Sequence, residues 1–195
     1  MKNKDKDSAN GSRGKTCSDA RQPWLAALRE ARGAQLVEFA FVLPFLLVLL
    51  TGVLDFATAY NTKQKLNNAA REGARLGVVQ GMTDLTRTNP QSVQVIRDAI
   101  VNYLTNANVN TSFIGTTMTS AGGFTWTYYS TGTYGLKIER NVLVPATGGG
   151  LIACTRVTLN YPYNWTFGFN RIINLLAPSS YPGTIPIATD ATMPY

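Results

Sequence analysis

The sequence predicts an α+β protein in which a long N-terminal transmembrane helix continues into a domain with an antiparallel sheet. Three observations carry that prediction. Leu36–Leu54 (LVEFAFVLPFLLVLLTGVL) holds a single charge, Glu38. Helical spacing persists from Lys63 to Gly77 and recurs at Val93, Ile96, Ile100 and Leu104. Beyond residue 123 the period changes to the alternation of half-buried strands, and helices first with strands afterwards mark the α+β class.

Residues 1–22 are polar, charged and without apolar periodicity, which predicts a disordered tail. Pro23, Trp24, Leu25 and Leu28 add a short apolar patch before Arg29 and Arg32. Ala34–Tyr60 as a helix spans about 40 Å at 1.5 Å per residue, enough to cross a bilayer with its interfaces. Phe39–Leu50 leaves no polar face for a soluble helix to expose. Pro44 is tolerated there as a kink, since spanning helices accept proline more readily than soluble ones.

Cations flank the span on both sides within about 20 residues, so counting alone does not orient it. Arg29 and Arg32 abut the apolar run on one side, whereas Asp55 is the first charge on the other. This places the N-terminus in the cytoplasm and the C-terminal domain in the periplasm or outside the cell. The division expected is a basic leader over 1–33, a membrane helix over 34–60, its extension over 61–81 and an extracytoplasmic domain over 82–195.

On the extension, Ala69, Gly73 and Gly77 form a small-residue stripe that lets another backbone approach closely. That backbone belongs either to a neighbouring subunit or to the chain's own sheet. A second helix is expected after Pro90, with Asn89 as its cap. Residues 105–123, rich in Thr, Ser, Asn and Gly, are expected to be loop. Strands follow at Phe124–Tyr129, Tyr134–Val144, Thr155–Trp165 and Ile185–Met193, with Gly148–Gly150 separating the second from the third. Residues 170–177 form a short helix or turn stopped by Pro178.

Composition narrows the chemistry. The 195 residues suffice for one modest domain and an anchor. Of the net charge of +7, residues 1–33 carry +4, and no nucleic-acid motif accompanies it, so no nucleic-acid partner is expected. The chain has no histidine, which removes the commonest general base and metal ligand. Cys17 and Cys154 form no close-spaced metal motif, and Cys17 follows no apolar run that would mark lipid attachment. Cys154 reads as a small buried apolar residue. In the strand region Glu139 and Asp190 are the acids, and nothing pairs them for acid–base work. No enzyme activity, cofactor, metal or small-molecule substrate is expected. The aromatic residues from Phe124 to Phe169 alternate as the inner face of a sheet would, although a partner or carbohydrate surface is the other reading.

The block Arg32–Arg75 resembles the TadE-like family, minor pilin-like proteins of the Tad (tight adherence, Flp pilus) system. The residues that carry the resemblance are Arg32-Gly33-Ala34, Val37-Glu38-Phe39-Ala40, Leu43-Pro44, Gly52 and Asn68-Ala69-Ala70-Arg71-Glu72-Gly73-Ala74-Arg75. Val157–Tyr163 and Ala188–Met193 look more loosely like the family's C-terminal part. The resemblance implies a pilin-like domain, a place in the cytoplasmic (inner) membrane and a role in pilus assembly or secretion. It also implies partnership with membrane lipid, a prepilin peptidase and other Tad pilins and pseudopilins. The matching processing bond is Gly33–Ala34, with Glu38 as the fifth mature residue. The 33-residue leader is long for this class, and Phe39 stands where the major pilins of the system have tyrosine.

An ionised carboxylate near hydrocarbon costs a few kcal/mol unless paired. Cleavage after Gly33 would create a cationic amine on Ala34, one helical turn from Glu38. The pair forms within one chain or between neighbours, where it would set register. The bland reading has Glu38 reach back about 6 Å to the interface. A secreted or signal-anchored β-rich adhesive or scaffolding domain is the alternative to a pilin-like protein. For that reading Ala57-Thr58-Ala59 supplies a signal-peptidase-like site.

Overall fold

Helix α1 runs from Pro23 to Val79 and helix α2 from Gln91 to Asn106. A five-stranded sheet follows: β1 Ile114–Gly122, β2 Thr125–Thr131, β3 Tyr134–Pro145, β4 Leu151–Asn164 and β5 Thr184–Pro194. Helix α3, Phe169–Leu176, is inserted before β5. The computed structural model describes residues 23–179 and 181–195. What the sequence led one to expect of residues 1–22, Cys17 included, lies outside the described residues. The chain divides into two compact units, one ending at Leu46 and one spanning Leu47–Tyr195.

In the first unit the described residues are helical, and from Gly33 to Leu46 every side-chain position is exposed. The second unit has the predicted plan, a helix leading into an antiparallel sheet. All four strand pairings are antiparallel between chain neighbours, giving the order β1-β2-β3-β4-β5. Strand β4 is central and pairs with both β3 and β5. Val157, Leu159 and Tyr163 point inward, while Thr158, Asn160 and Asn164 are less buried, as the period of two requires.

The helices supply the other half of the core. Leu66, Ala69, Ala70 and Ala74 of α1 and Val93, Ile96, Ile100 and Leu104 of α2 cluster with Trp126, Tyr128, Leu136, Ile138, Val157 and Leu159. Helix α1 runs antiparallel to β4: Thr58 Oγ1 lies 2.6 Å from the Tyr163 hydroxyl, and Gly77 faces Thr155. Lys65 Nζ donates to the carbonyl oxygen of Ala107 at 2.9 Å, placing a cation at the C-terminal end of α2 where the helix dipole favours it.

Two local expectations are corrected. Residues 114–122 form a strand rather than loop. Its inward residues are few, with Ile114 buried and most of the others exposed, so β1 is an edge strand whose Thr, Ser and Gly residues carry no apolar alternation. Asn89 does not cap α2. Pro90 occupies the cap position, with no side-chain hydrogen bond there. Asp84, from the preceding turn, accepts from the Ser92 backbone N–H (2.8 Å) and hydroxyl (2.7 Å) instead. Burial acts to raise the Asp84 pKa, but the two Ser92 bonds, together with Asp84's own backbone N–H and the Arg140 charge, hold the carboxyl below its ordinary value.

The aromatic residues divide. Trp126, Tyr128, Tyr163 and Trp165 are buried, whereas Phe124, Tyr129 and Phe167 are exposed. Cys154 is buried, with its thiol 3.6 Å from the Ile152 carbonyl oxygen. Arg140 is buried, and among the described residues no carboxylate forms a salt bridge with it, although its charge acts on the Asp84 carboxyl. Its Nε donates to the Tyr195 hydroxyl (2.8 Å) and its Nη2 to the Gln80 carbonyl (2.9 Å) just past the end of α1.

Candidate membrane anchor and assembly residues

Among the described residues most of the apolar run is left without protein cover. Thirteen large apolar side chains between Leu36 and Leu54 are exposed, Phe41 and Phe45 at 81% and 73%. Burying such a side chain is worth about 1.5–3 kcal/mol. Leaving thirteen half-exposed in water forgoes about 10–20 kcal/mol, as much as the whole stability of a typical domain. Among the described residues α1 is the one helix long and apolar enough to cross a membrane. Thr51, the one hydroxyl in the run, donates back to the Leu47 and Val48 carbonyls at 3.1 and 2.9 Å, so it carries no unmet polar group into an apolar medium.

Glu38 lies on this exposed stretch, four residues from Ala34 on the same helix, so the two positions share a face about 6 Å apart. Gly33 also sits in α1, and a Cβ added there would meet none of the described residues within 4 Å. Packing therefore does not require glycine at position 33.

The small-residue stripe is different. Ala69 is fully buried. A Cβ at Gly73 would come within 2.5 Å of Ile100 Cδ1 on α2, and one at Gly77 within 2.5 Å of Thr155 Cγ2 on β4. These residues are occupied by the chain's own second helix and sheet. Between them Glu72 and Arg75 form an exposed two-pronged pair at 2.8 and 3.1 Å. The Arg75 hydrogen bond holds the Glu72 carboxyl below its ordinary pKa. Being exposed, the pair adds little to stability.

Asp55, read from the sequence only as the first charge beyond the apolar run, has a second role in the fold. It is fully buried. Its Oδ1 accepts the backbone N–H groups of Thr166 (2.9 Å) and Phe167 (2.7 Å), and its Oδ2 accepts that of Phe169 (2.9 Å). Three oriented N–H donors, the last at the first residue of α3, replace the water that an ionised carboxylate needs. The side chain thereby ties the loop after β4 to α1. Around it Phe56, Tyr163, Trp165, Phe169 and Tyr181 pack edge-on or tilted, with ring centroids 5.3–5.9 Å apart. No sequence signal marks this, because the partners are backbone groups more than a hundred residues away.

The stretch that joins the exposed helix to the buried stripe is also where likeness to known proteins lies. Residues 33–75 match the family model of TadE-like protein. The TadE-like segment coincides with the resemblance read from Arg32–Arg75. It does not extend to Val157–Tyr163 or Ala188–Met193, where the looser likeness was read. No curated protein and no solved structure matches the chain. A TadE-like segment on one long apolar helix fits a membrane-anchored protein related to the Tad pilus, and it implies association with other components of that system. The TadE-like segment performs two physical tasks. Its first half is exposed and apolar, and its second half supplies Ala69 and Gly73, the latter against Ile100 of α2, while Gly77, which meets β4, lies just beyond it.

Among the described residues no group of three or more His, Cys, Asp or Glu side chains is placed to hold a metal ion.

Proposed function

We propose that the chain is a non-catalytic, TadE-like pseudopilin that serves Tad/Flp pilus assembly or secretion from the inner membrane. In this reading a prepilin peptidase cuts between Gly33 and Ala34 at the cytoplasmic face. The helix over 34–60 then holds the protein in lipid, 61–81 carries it out of the bilayer, and 82–195 is presented in the periplasm or beyond. The observation that carries the reading is the exposed apolar helix bearing Glu38 as its lone charge inside a segment that matches the TadE-like family.

Further features support it. Gly33 has no packing reason to be glycine, which leaves recognition by a protease as a reason for its identity. Secretion by cleavage after Ala59 is disfavoured by the fold. Such a cut would remove Asp55 from its three N–H partners and Thr58 from Tyr163, and would sever a helix at a buried residue. Glu38 pairs with the new Ala34 amine, within the chain or between neighbours, because each charge lacks a better partner at the edge of hydrocarbon.

The test is Glu38→Gln in the cell that makes the pilus. Membrane insertion should persist while pilus output is lost. Unchanged output with normal insertion would remove the assembly role of Glu38.

A further inference from the structure

We propose that α3 and the loop entering it form a collar that rests in the bilayer interface, with Phe167, Ile172 and Leu175 dipping into lipid beside the emerging α1. The proposal depends on the reading of α1 as a membrane span. It adds a second lipid contact, made by the C-terminal half of the chain.

Leu36–Leu54 is 19 residues, about 28 Å of helix, which matches a hydrocarbon core of about 30 Å. Asp55 then falls at the boundary, and α3 is held at that level. A Cβ at Gly52, three residues inside, would come within 3.0 Å of the Phe169 ring. The backbone N–H groups of Phe167 and Phe169 are bonded to Asp55 itself. No element that touches residues 52–56 can stand clear of a membrane that covers Leu49, Leu50 and Val53.

The second observation is what α3 shows on its outer side. Leu175 is 83% exposed, Phe167 49% and Phe56 54%. On this eight-residue helix Ile172 and Leu175, three residues apart, share one side, while Phe169 turns inward onto Phe56, Trp165 and Tyr181. Val53 and Phe56 on α1 and Phe167 in the loop tied to Asp55 are thus all exposed apolar side chains near the end of the apolar run. A patch beside a span's lipid-facing side needs the same solvent.

The polar side agrees. Asn174 is tied to Tyr181 by paired hydrogen bonds at 2.9 and 3.0 Å, which fixes the return loop, and Arg171 is exposed, where phosphate headgroups would meet it. The collar would fix the tilt and rotation of the domain over the bilayer, which a lone helix leaves free.

The experiment uses the full chain with Cys17 and Cys154 replaced by Ser and Ala, reconstituted in phosphatidylglycerol-containing vesicles. Single cysteines Leu175→Cys, Leu49→Cys and Thr133→Cys carry an environment-sensitive fluorophore, read against lipids with a shallow nitroxide and against aqueous iodide. The Leu175 label should be quenched by nitroxide lipid about twofold or more above the Thr133 label and shielded from iodide, as befits a residue about 5–10 Å into the boundary. Quenching at Leu49 with Leu175 no different from Thr133 would overturn the collar and leave the anchor standing. Shielding of Leu175 from iodide without lipid quenching would overturn it in favour of a second copy of the chain. Absence of lipid quenching at both Leu49 and Leu175 would overturn collar and anchor together.

Discussion

Replacing Asp55 with Asn keeps the size of the side chain and removes its charge and one of its two acceptor oxygens. In the best orientation the remaining oxygen keeps Thr166 and Phe167, and the new amide donor points at the Phe169 N–H. One hydrogen bond to a charged group is then lost, at about 1.5–3 kcal/mol, and two weaken to neutral bonds, at about 1 kcal/mol each or less. The site is fully buried, so water does not make good the loss. The total is about 2–5 kcal/mol. Urea unfolding of the detergent-solubilised full chain, followed by the fluorescence of Trp126 and Trp165, measures it. With a slope of about 2 kcal/mol/M the midpoint should fall by about 2 M. A midpoint within about 0.3 M of the parent at an unchanged slope, well inside about 1 kcal/mol, would refute the view that Asp55 clasps the loop to α1.

The other perturbations test separate joints of the fold. Gly77→Ala gains up to about 1 kcal/mol of helix propensity, yet its methyl drives into Thr155, a branched side chain already bonded to Tyr195. It should lower the urea midpoint, whereas Gly33→Ala, with open space around it, should not. Asp84 has a folded pKa below its ordinary 3.8, so the unfolded chain binds its proton first. The stability it adds is present above that value and is lost as pH falls through the lower folded pKa. Asp84→Asn should therefore show a shallower loss of stability than the parent below about pH 4 in urea titrations at stepped pH.

The sequence was most legible where burial leaves a period. The span announces itself because Phe39–Leu50 has no polar break, and α2, β3 and β4 because Ile96, Ile138 and Val157 recur at helical or strand spacing. Strand β1 left no such trace: an edge strand with one buried end residue reads as Thr-rich loop, since its pairing is made by backbone alone. The capping of α2 was misplaced for a related reason. Asp84 reaches Ser92 across a turn, a closure that local cap patterns centred on Asn89 do not contain. The stripe at Ala69, Gly73 and Gly77 was visible as small residues, but which surface fills it depends on Ile100 and Thr155, which come near only in three dimensions. Asp55 was seen as a charge that orients the helix. Its role as a triple acceptor lay hidden, because backbone donors carry no sequence signature.

The native N-terminus, read by intact-mass and peptide mass spectrometry on protein taken from the membrane fraction, addresses the whole account at once. A mature chain starting at Ala34 and released only by detergent is the predicted result. A chain found free in the soluble fraction and starting at Tyr60 would contradict it, because that species has discarded both Glu38 and the apolar rod.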